Sequence, residues 1–328
     1  MKTSTQLTLR SGDSIPAVGL GMWKVSPGQS ADLILAAAGA GYRHFDCACD
    51  YGNEQEVGSG FKRLFTSEGY SREEFWITSK LWNTFHRPEH VEIACRKSLD
   101  DLQLDFLDLY LIHFPIAQRF VPIEQRYPPG WIFDPAAPAP KMEFDRVPII
   151  DTWRAMERLQ QQGLTRNIGV CNFGTSLLRD LLASATIPPA VLQVESHPYL
   201  TQEKLLKFCQ QEQIVYTAFS PFGSLSYHEL GMASPGDNLL EVPPIPAIAA
   251  AHRKTPAQVL LRWGIQRGTS VIPKTSNQTR LRENLDVFSF ELTDQEMQSI
   301  SALNQSHRYN DPGHFCQTAF NTFCPIYE

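Results

Sequence analysis

No apolar run in this sequence approaches the ~18 residues that argue for a membrane-spanning helix. The longest, around Leu33–Gly41 and Pro243–Ala251, are short and read as buried helices. The opening stretch MKTSTQLTLRSGDS lacks the apolar core of a secretory signal, so the expected compartment is the cytoplasm. CxxC pairs are absent, and the seven cysteines, an odd number, are scattered at 47, 49, 95, 171, 209, 316 and 324. That pattern argues against a disulfide framework and against a zinc site. Positive charge is in deficit: 29 Lys and Arg face 35 Asp and Glu, a formal charge of −6. Polyanion binding over a broad basic face is thereby disfavoured, while one basic pocket for a phosphorylated cofactor is still permitted. Low-complexity tracts and linker-like stretches are missing as well.

What the chain does have is buried-surface capacity. Apolar residues make up 42%, with 19 Phe and 6 Trp, which excludes disorder. Short β-rich segments alternate with helical ones. Tyr42–Asp46, Phe75–Lys80, Phe106–His113, Asn167–Cys171, Val191–Val194, Val215–Phe219 and Ser270–Pro273 are predicted strands. Segments 89–102, 149–163 and 202–213 carry helical spacing; Ile149, Trp153, Met156 and Leu159 share one face. Thr255-Pro256-Ala257-Gln258 and Thr293-Asp294-Gln295-Glu296 are capping boxes that open two more helices. An alternation of about eight such units fits an α/β fold of the (β/α)8 TIM-barrel type better than an open sheet. The expectation is a single barrel domain over residues 1–328 with long loops at the C-terminal face.

Three segments exceed what barrel connections need: Pro115–Pro148, Phe222–Pro246 and the tail Leu303–Glu328. The aromatic content of the first, notably Tyr127, Trp131 and Phe133, predicts binding walls. Gly19-Leu20-Gly21-Met22-Trp23-Lys24 starts like a dinucleotide fingerprint but lacks its third glycine and acidic partner. It reads as a turn at the end of the first strand. His86 and His90 form an HxxxH pair with Pro88 between them, which breaks a helical face; a solvated loop is predicted there, not a metal site.

Asp46, Lys80 and His113 each close an apolar strand run, 34 and then 33 residues apart, about one strand–helix unit. All three then meet the rim where barrels carry catalytic groups, and Tyr51, five residues after Asp46, can reach the same rim. This set suits carbonyl reduction. A phenol titrates near 10, and a neighbouring ammonium lowers that value. Asp46 would hold Lys80 charged, and His113 would orient the carbonyl oxygen. The spacing alone is equally compatible with an ordinary Asp46–Lys80 ion pair and a rim histidine.

The segments GYRHFDCACDYGNEQEVG (41–58), ITSKLWN (77–83), LDLYLIHFP (107–115), IGVCNF (168–173), LQVESHPY (192–199), AFSPFG (218–223) and VIPKTSNQTRLREN (271–284) resemble the aldo-keto reductases over nearly the whole chain. The resemblance implies a (β/α)8 barrel, Tyr51 as acid/base assisted by Asp46, Lys80 and His113, and a nicotinamide cofactor held without a Rossmann fold. The implied cofactor residues are Asn172, Gln193, Phe219, Ser220, Lys274, Thr275, Ser276, Arg280, Glu283 and Asn284, with Lys274 and Arg280 on a 2′-phosphate. NADPH is the expected coenzyme, NADH a weaker one. Three positions depart from the pattern: Cys171 stands where Ser is usual, Phe219 where a ring-stacking Tyr is usual, and Ser276 where dual-coenzyme relatives can carry Asn.

Further stretches, FVPIEQRYPPGW (120–131), VPIIDTW (147–153), ATIPPAVLQVESHPYL (185–200) and HRYNDP (307–312), resemble the D-xylose reductase branch. That likeness implies a substrate pocket of Trp23, Asp50, His113 and Asn310, with Asp50 and Asn310 on sugar hydroxyls; Tyr309 replaces a frequent Phe. The expected reaction is reduction of an aldose such as D-xylose to its alditol. The expected partners are a small aldehyde or aldose, no nucleic acid and no membrane, with the chain a monomer or homodimer. Alternatives are a reductase for a sugar phosphate, with Arg119 and Arg126 as candidate cations, a reductase for another aldehyde, or a redox-sensing regulatory subunit.

Overall fold

The computed structural model describes residues 5–234 and 236–328. Residues 1–4, part of the stretch read for an export signal, and Pro235, within the 222–246 segment, lie outside the described residues. A hairpin of β1 (Gln6–Thr8) and β2 (Ser14–Pro16) precedes β3 (Leu20–Gly21), α1 (Pro27–Ala40), β4 (His44–Asp46), α2 (Glu54–Ser67), β5 (Trp76–Leu81) and α3 (Pro88–Leu102). Next come β6 (Leu107–Ile112), α4 (Ile149–Gln161), β7 (Thr165–Cys171), α5 (Thr175–Ser184), β8 (Val191–Glu195) and α6 (Glu203–Gln211). The remainder holds β9 (Val215–Phe219), α7 (Ile245–His252), α8 (Pro256–Gln266), β10 (Ser270–Val271), α9 (Gln278–Leu285), α10 (Asp294–Ser301) and α11 (Pro312–Phe320).

By contact density the chain divides into two compact units. The first comprises Met1–Gly21, Ala36–Phe45 and Val191–Asn310. In it β8 runs parallel to β9, from Val191 opposite Val215 to Glu195 opposite Phe219, and β9 runs parallel to β10. Both predicted capping boxes are present: the Thr255 and Thr293 hydroxyls accept the amides of Gln258 and Glu296, each at 3.2 Å, which satisfies otherwise orphaned donors.

The second unit comprises Met22–Leu35, Asp46–Ala190 and Asp311–Glu328. Here β5, β6 and β7 form a parallel ladder, with Lys80 opposite Leu111 and Leu109 opposite Asn167. All six residues of β5 and all six of β6 are buried, as expected of strands covered on both faces. Outside them α2 packs on α3 and α3 on α4. The approach of α2 to α3 depends on Gly58, where any Cβ would run into the Asp101 carbonyl.

Several expectations need correction. The N-terminal hairpin and α11 are additional elements; α11 opens with Asp311 accepting from the Gly313 amide at 2.8 Å and Pro312 at the first helical position. The Pro243–Ala251 run is not a buried helix. In α7 only Ile245, Ile248 and Ala249 are buried, while Pro246, Ala247, Ala250 and Ala251 face solvent. His86 is not in a solvated loop either: it is buried at the end of a short 3-10 turn, and burial pushes its imidazole down to about 4. His90 stacks on Phe120 at 3.6 Å between ring centres. All seven cysteines are free and buried.

Candidate active site

The parallel strands of the second unit end their chains at one rim, and the polar residues sit at those ends. Asp46 closes β4, Lys80 is one residue from the end of β5, His113 follows β6 and Asn172 follows β7. Tyr51 ends a short 3-10 turn, Cys49–Tyr51, which stops at Gly52 with φ 67°. The turn is tied down by Asn53, whose amide donates to the carbonyls of Met22 and Val25, each at 3.0 Å. The same bonds fix the loop carrying Trp23, whose turn falls at Trp23–Lys24 just after β3.

Lys80 organises the cluster. Its buried ammonium donates to Asp46 Oδ2 at 2.7 Å, to the Cys47 carbonyl at 2.8 Å and to the Tyr51 hydroxyl at 2.9 Å. An ammonium has three donors, so all are spent here. Burial works against the Lys80 charge, but Asp46, with Tyr51 beside it, holds the group above the ordinary lysine range. For Tyr51 the expectation is met only in part. Burial pushes the phenol above its ordinary value and outweighs the lowering by Lys80. His113 meets the Tyr51 ring edge-on at 5.9 Å between centres. Burial, and then the Lys80 charge, hold its imidazole well below the usual value, so it is neutral near pH 7. Its Nδ1 is buried without a hydrogen-bond partner among the described residues.

Asp50 is half-buried in the Tyr51 turn, and burial pushes its carboxyl up to about 7. The 115–148 segment supplies an aromatic wall: Trp131 packs against Trp82 at 4.9 Å, Phe114 at 5.1 Å and Phe315 at 5.4 Å. Tyr127 and Phe133 are engaged elsewhere, under the Lys97 ammonium and the Arg119 guanidinium. The two cations considered for a substrate phosphate are already committed. Arg119 pairs with Glu143 at 2.8 Å, and Arg126 donates to the carbonyls of Ile132 and Phe133.

Asn172, with φ 61°, donates to the His113 carbonyl at 2.8 Å and accepts from the Tyr327 hydroxyl at 3.1 Å. Tyr327 was not singled out by sequence; nothing local to the tail marks it. The neighbouring Cys171 is buried, and burial pushes its thiol up, which leaves it a weak donor.

In the first unit Gln193 lies buried on β8, and Phe219 ends β9 half-buried. Ser220, with φ 48°, shares a 2.8 Å hydrogen bond with the Tyr227 hydroxyl. Lys274, Ser276 and Arg280 are exposed around the start of α9, Glu283 is half-buried and Asn284 buried. Among the described residues neither Lys274 nor Arg280 has an ion-pair partner. Two uncommitted cations at a helix N-terminus fit a phosphate group. Thr275 accepts from the Asn277 amide at 3.1 Å, and Asn277 accepts from the Arg280 amide at 3.0 Å as the cap of α9. Asn310 donates its backbone amide to Glu195 at 2.8 Å, while its side-chain Oδ1 is buried with no partner among the described residues. The Tyr309 hydroxyl is turned to Asp237. Glu195 is a second residue that sequence reasoning passed over, although a carboxylate two places after Gln193 in LQVES was visible.

Among the described residues no group of three His, Cys, Asp or Glu could hold a metal ion, and no helix is long and apolar enough to cross a membrane.

The family model described as the aldo/keto reductase family matches residues 17–305. A probable NAD(P)H-dependent D-xylose reductase from Aspergillus clavatus is 50% identical over 314 residues, 95% of this chain and 94% of the relative. An NADH-dependent D-xylose reductase from Candida parapsilosis is 47% identical over 95% of this chain and 96% of its own. The solved structure of an aldose reductase from Schistosoma japonicum superposes with a TM-score of 0.85 at 36% identity, covering 99% of this chain and 100% of that one. The fold class is accordingly the α/β one expected from sequence, a (β/α)8 barrel.

Proposed function

The chain belongs to the aldo/keto reductase family, and from that premise we propose that it reduces the open-chain aldehyde of an aldose such as D-xylose to the alditol. The observation that carries the reading is the Lys80 ammonium bonded at once to Asp46, the Cys47 carbonyl and Tyr51. NADPH is the preferred coenzyme and NADH the weaker one; when bound, the reduced nicotinamide supplies the hydride.

Tyr51 supplies the proton. Its phenol is in the donor form at neutral pH, and the Lys80 ammonium stabilises the tyrosinate left behind. Asp46 keeps Lys80 charged and aimed at the phenol oxygen. Neutral His113 hydrogen-bonds the carbonyl oxygen and orients it without competing as an acid. Proton and hydride together convert the aldehyde to a primary alcohol. Asn172, Gln193, Phe219 and Ser220 hold the nicotinamide side; Lys274, Thr275, Ser276 and Arg280 hold the 2′-phosphate side, with Glu283 and Asn284 toward adenine. Trp23 closes the apolar side of the pocket, while Asp50 and Asn310 meet sugar hydroxyls. The engagement of Arg119 and Arg126 with their own loop favours an uncharged aldose over a sugar phosphate.

A panel of xylose, a sugar phosphate and an aldehyde without hydroxyls tests the substrate class. Asp50→Ala is expected to lower kcat/KM for xylose by about 10- to 100-fold relative to the hydroxyl-free aldehyde, because a charge-assisted hydrogen bond is lost only with the sugar. Equal losses on both substrates would make Asp50 a structural residue. Failure to turn over any aldehyde steadily would instead favour a regulatory protein.

The coenzyme assignment has its own test. Arg280→Ala is expected to raise the KM for NADPH by about tenfold and to leave that for NADH within about twofold, since only NADPH carries the 2′-phosphate. Better efficiency of the unsubstituted protein with NADH would contradict the preference.

A further inference from the structure

We propose that Glu195 is a positioning residue for sugar recognition, acting through the backbone of residues 309 and 310. It rests on the reading of Asn310 as a sugar-hydroxyl contact. Glu195 is the last residue of β8 and is fully buried. Its Oε1 accepts from the Tyr309 amide at 3.0 Å and from His197 Nε2 at 2.8 Å. Its Oε2 accepts from the Asn310 amide at 2.8 Å. Two consecutive backbone amides thus converge on one carboxylate. A buried carboxylate on a strand end is expensive unless its oxygens are met by donors, and here three meet them. Burial alone raises the Glu195 carboxyl, yet His197, the Tyr309 amide and the Arg308 charge bring it below its ordinary value, so it is ionised.

The flanking residues are held as well. Gln202 donates to the Glu195 carbonyl at 2.6 Å and accepts from Arg308 at 3.2 Å, which fixes residue 308 to the same strand end. Tyr309 stacks on Tyr227, 5.6 Å between centres at 15°, and its hydroxyl reaches Asp237. Residues 308, 309 and 310 are therefore each pinned, while the Asn310 side-chain oxygen is buried with no partner among the described residues. A fixed backbone with an open side-chain acceptor is a preorganised contact for a hydroxyl donor. Gln193 and Glu195 share a face of β8, so one strand face carries both a cofactor-directed amide and this anchor.

Replacing Glu195 by Gln keeps its size but turns an acceptor into an NH2 group facing amide donors. Misplacement by about 1 Å can reduce a rate by about 10²-fold. Steady-state kinetics on xylose and on a hydroxyl-free aldehyde, with Asn310→Ala, Glu195→Gln and the double variant, test the proposal. The expected result is a fall in the xylose-to-aldehyde ratio of kcat/KM of about tenfold in each single variant, carried mainly by the KM for xylose. The double variant should lose no more than Asn310→Ala alone, because Glu195 acts only through that residue. If Asn310→Ala leaves the ratio unchanged, the reading of Asn310 falls, and the proposal with it. If Asn310→Ala lowers the ratio but Glu195→Gln depresses both substrates equally, or the two losses add, only the positioning role is overturned. Should Glu195→Gln fail to fold, Glu195→Asp keeps the charge, shortens the reach by one methylene, and is held to the same selective loss.

Discussion

Tyr51→Phe is expected to slow aldehyde reduction by about 10²- to 10⁴-fold, the usual contribution of a positioned general acid. The substitution removes one oxygen and leaves the ring against His113, so melting temperature and coenzyme affinity should stay close to those of the unsubstituted protein. Coenzyme titration by fluorescence, thermal melting and turnover with xylose together separate the chemical loss from any structural one. Near-normal turnover in a folded Tyr51→Phe protein would remove Tyr51 from the proposed chemistry.

Lys80→Met is expected to do more, because it acts on stability as well as on rate. The ammonium is the charged partner of Asp46 at 2.7 Å, and both side chains are essentially sealed from solvent, 0% and 2% exposed. Removing one member of such a pair strands the other charge and costs about 3–5 kcal/mol. The Tyr51 phenol also loses the one neighbour that lowers its proton affinity most. Activity should fall by at least about 10²-fold, and folding stability should fall measurably in urea titration. The pH sign follows from the raised Lys80 value: its stabilisation is fully present below about 10.4, the unfolded lysine value, and disappears as pH rises through the higher folded value. That alkaline limb should be missing in Lys80→Met. A variant as stable as its parent across this range would mean that Asp46 finds another partner.

That Asp46, Tyr51, Lys80 and His113 lie together was legible because strand ends are legible. Runs such as FWITSK and FLDLYLIH are mostly apolar strand segments, and the chargeable residue that closes each, Lys80 or His113, falls within one residue of the strand's end. Tyr51 followed from its distance to Asp46. The direction of its proton affinity did not, since burial depends on what the whole fold packs around the turn and no local pattern encodes that. The α7 segment was misread for a related reason: an alanine-rich helix looks buried by composition, whereas only its two isoleucines and Ala249 turn inward. His86 was misread in the opposite direction: Pro88 was read as breaking a helical face, whereas it opens α3, and nothing local showed what lies over the preceding turn. Glu195 and Tyr327 escaped because their contacts reach 114 and 155 residues along the chain, to Tyr309 and Asn172.

The cap on α9 bears on how easily this protein could change its coenzyme. Asn277 has the amide that a ribose hydroxyl would want, yet its oxygen already closes the first turn of the helix by accepting from the Arg280 amide. Diverting it toward ribose would forfeit a cap worth about 1 kcal/mol and loosen the very residue proposed to hold the phosphate. Ser276, exposed and without a hydrogen-bond partner among the described residues, carries no such duty. A change toward NADH can therefore proceed through position 276 without touching the helix, whereas position 277 couples coenzyme choice to folding.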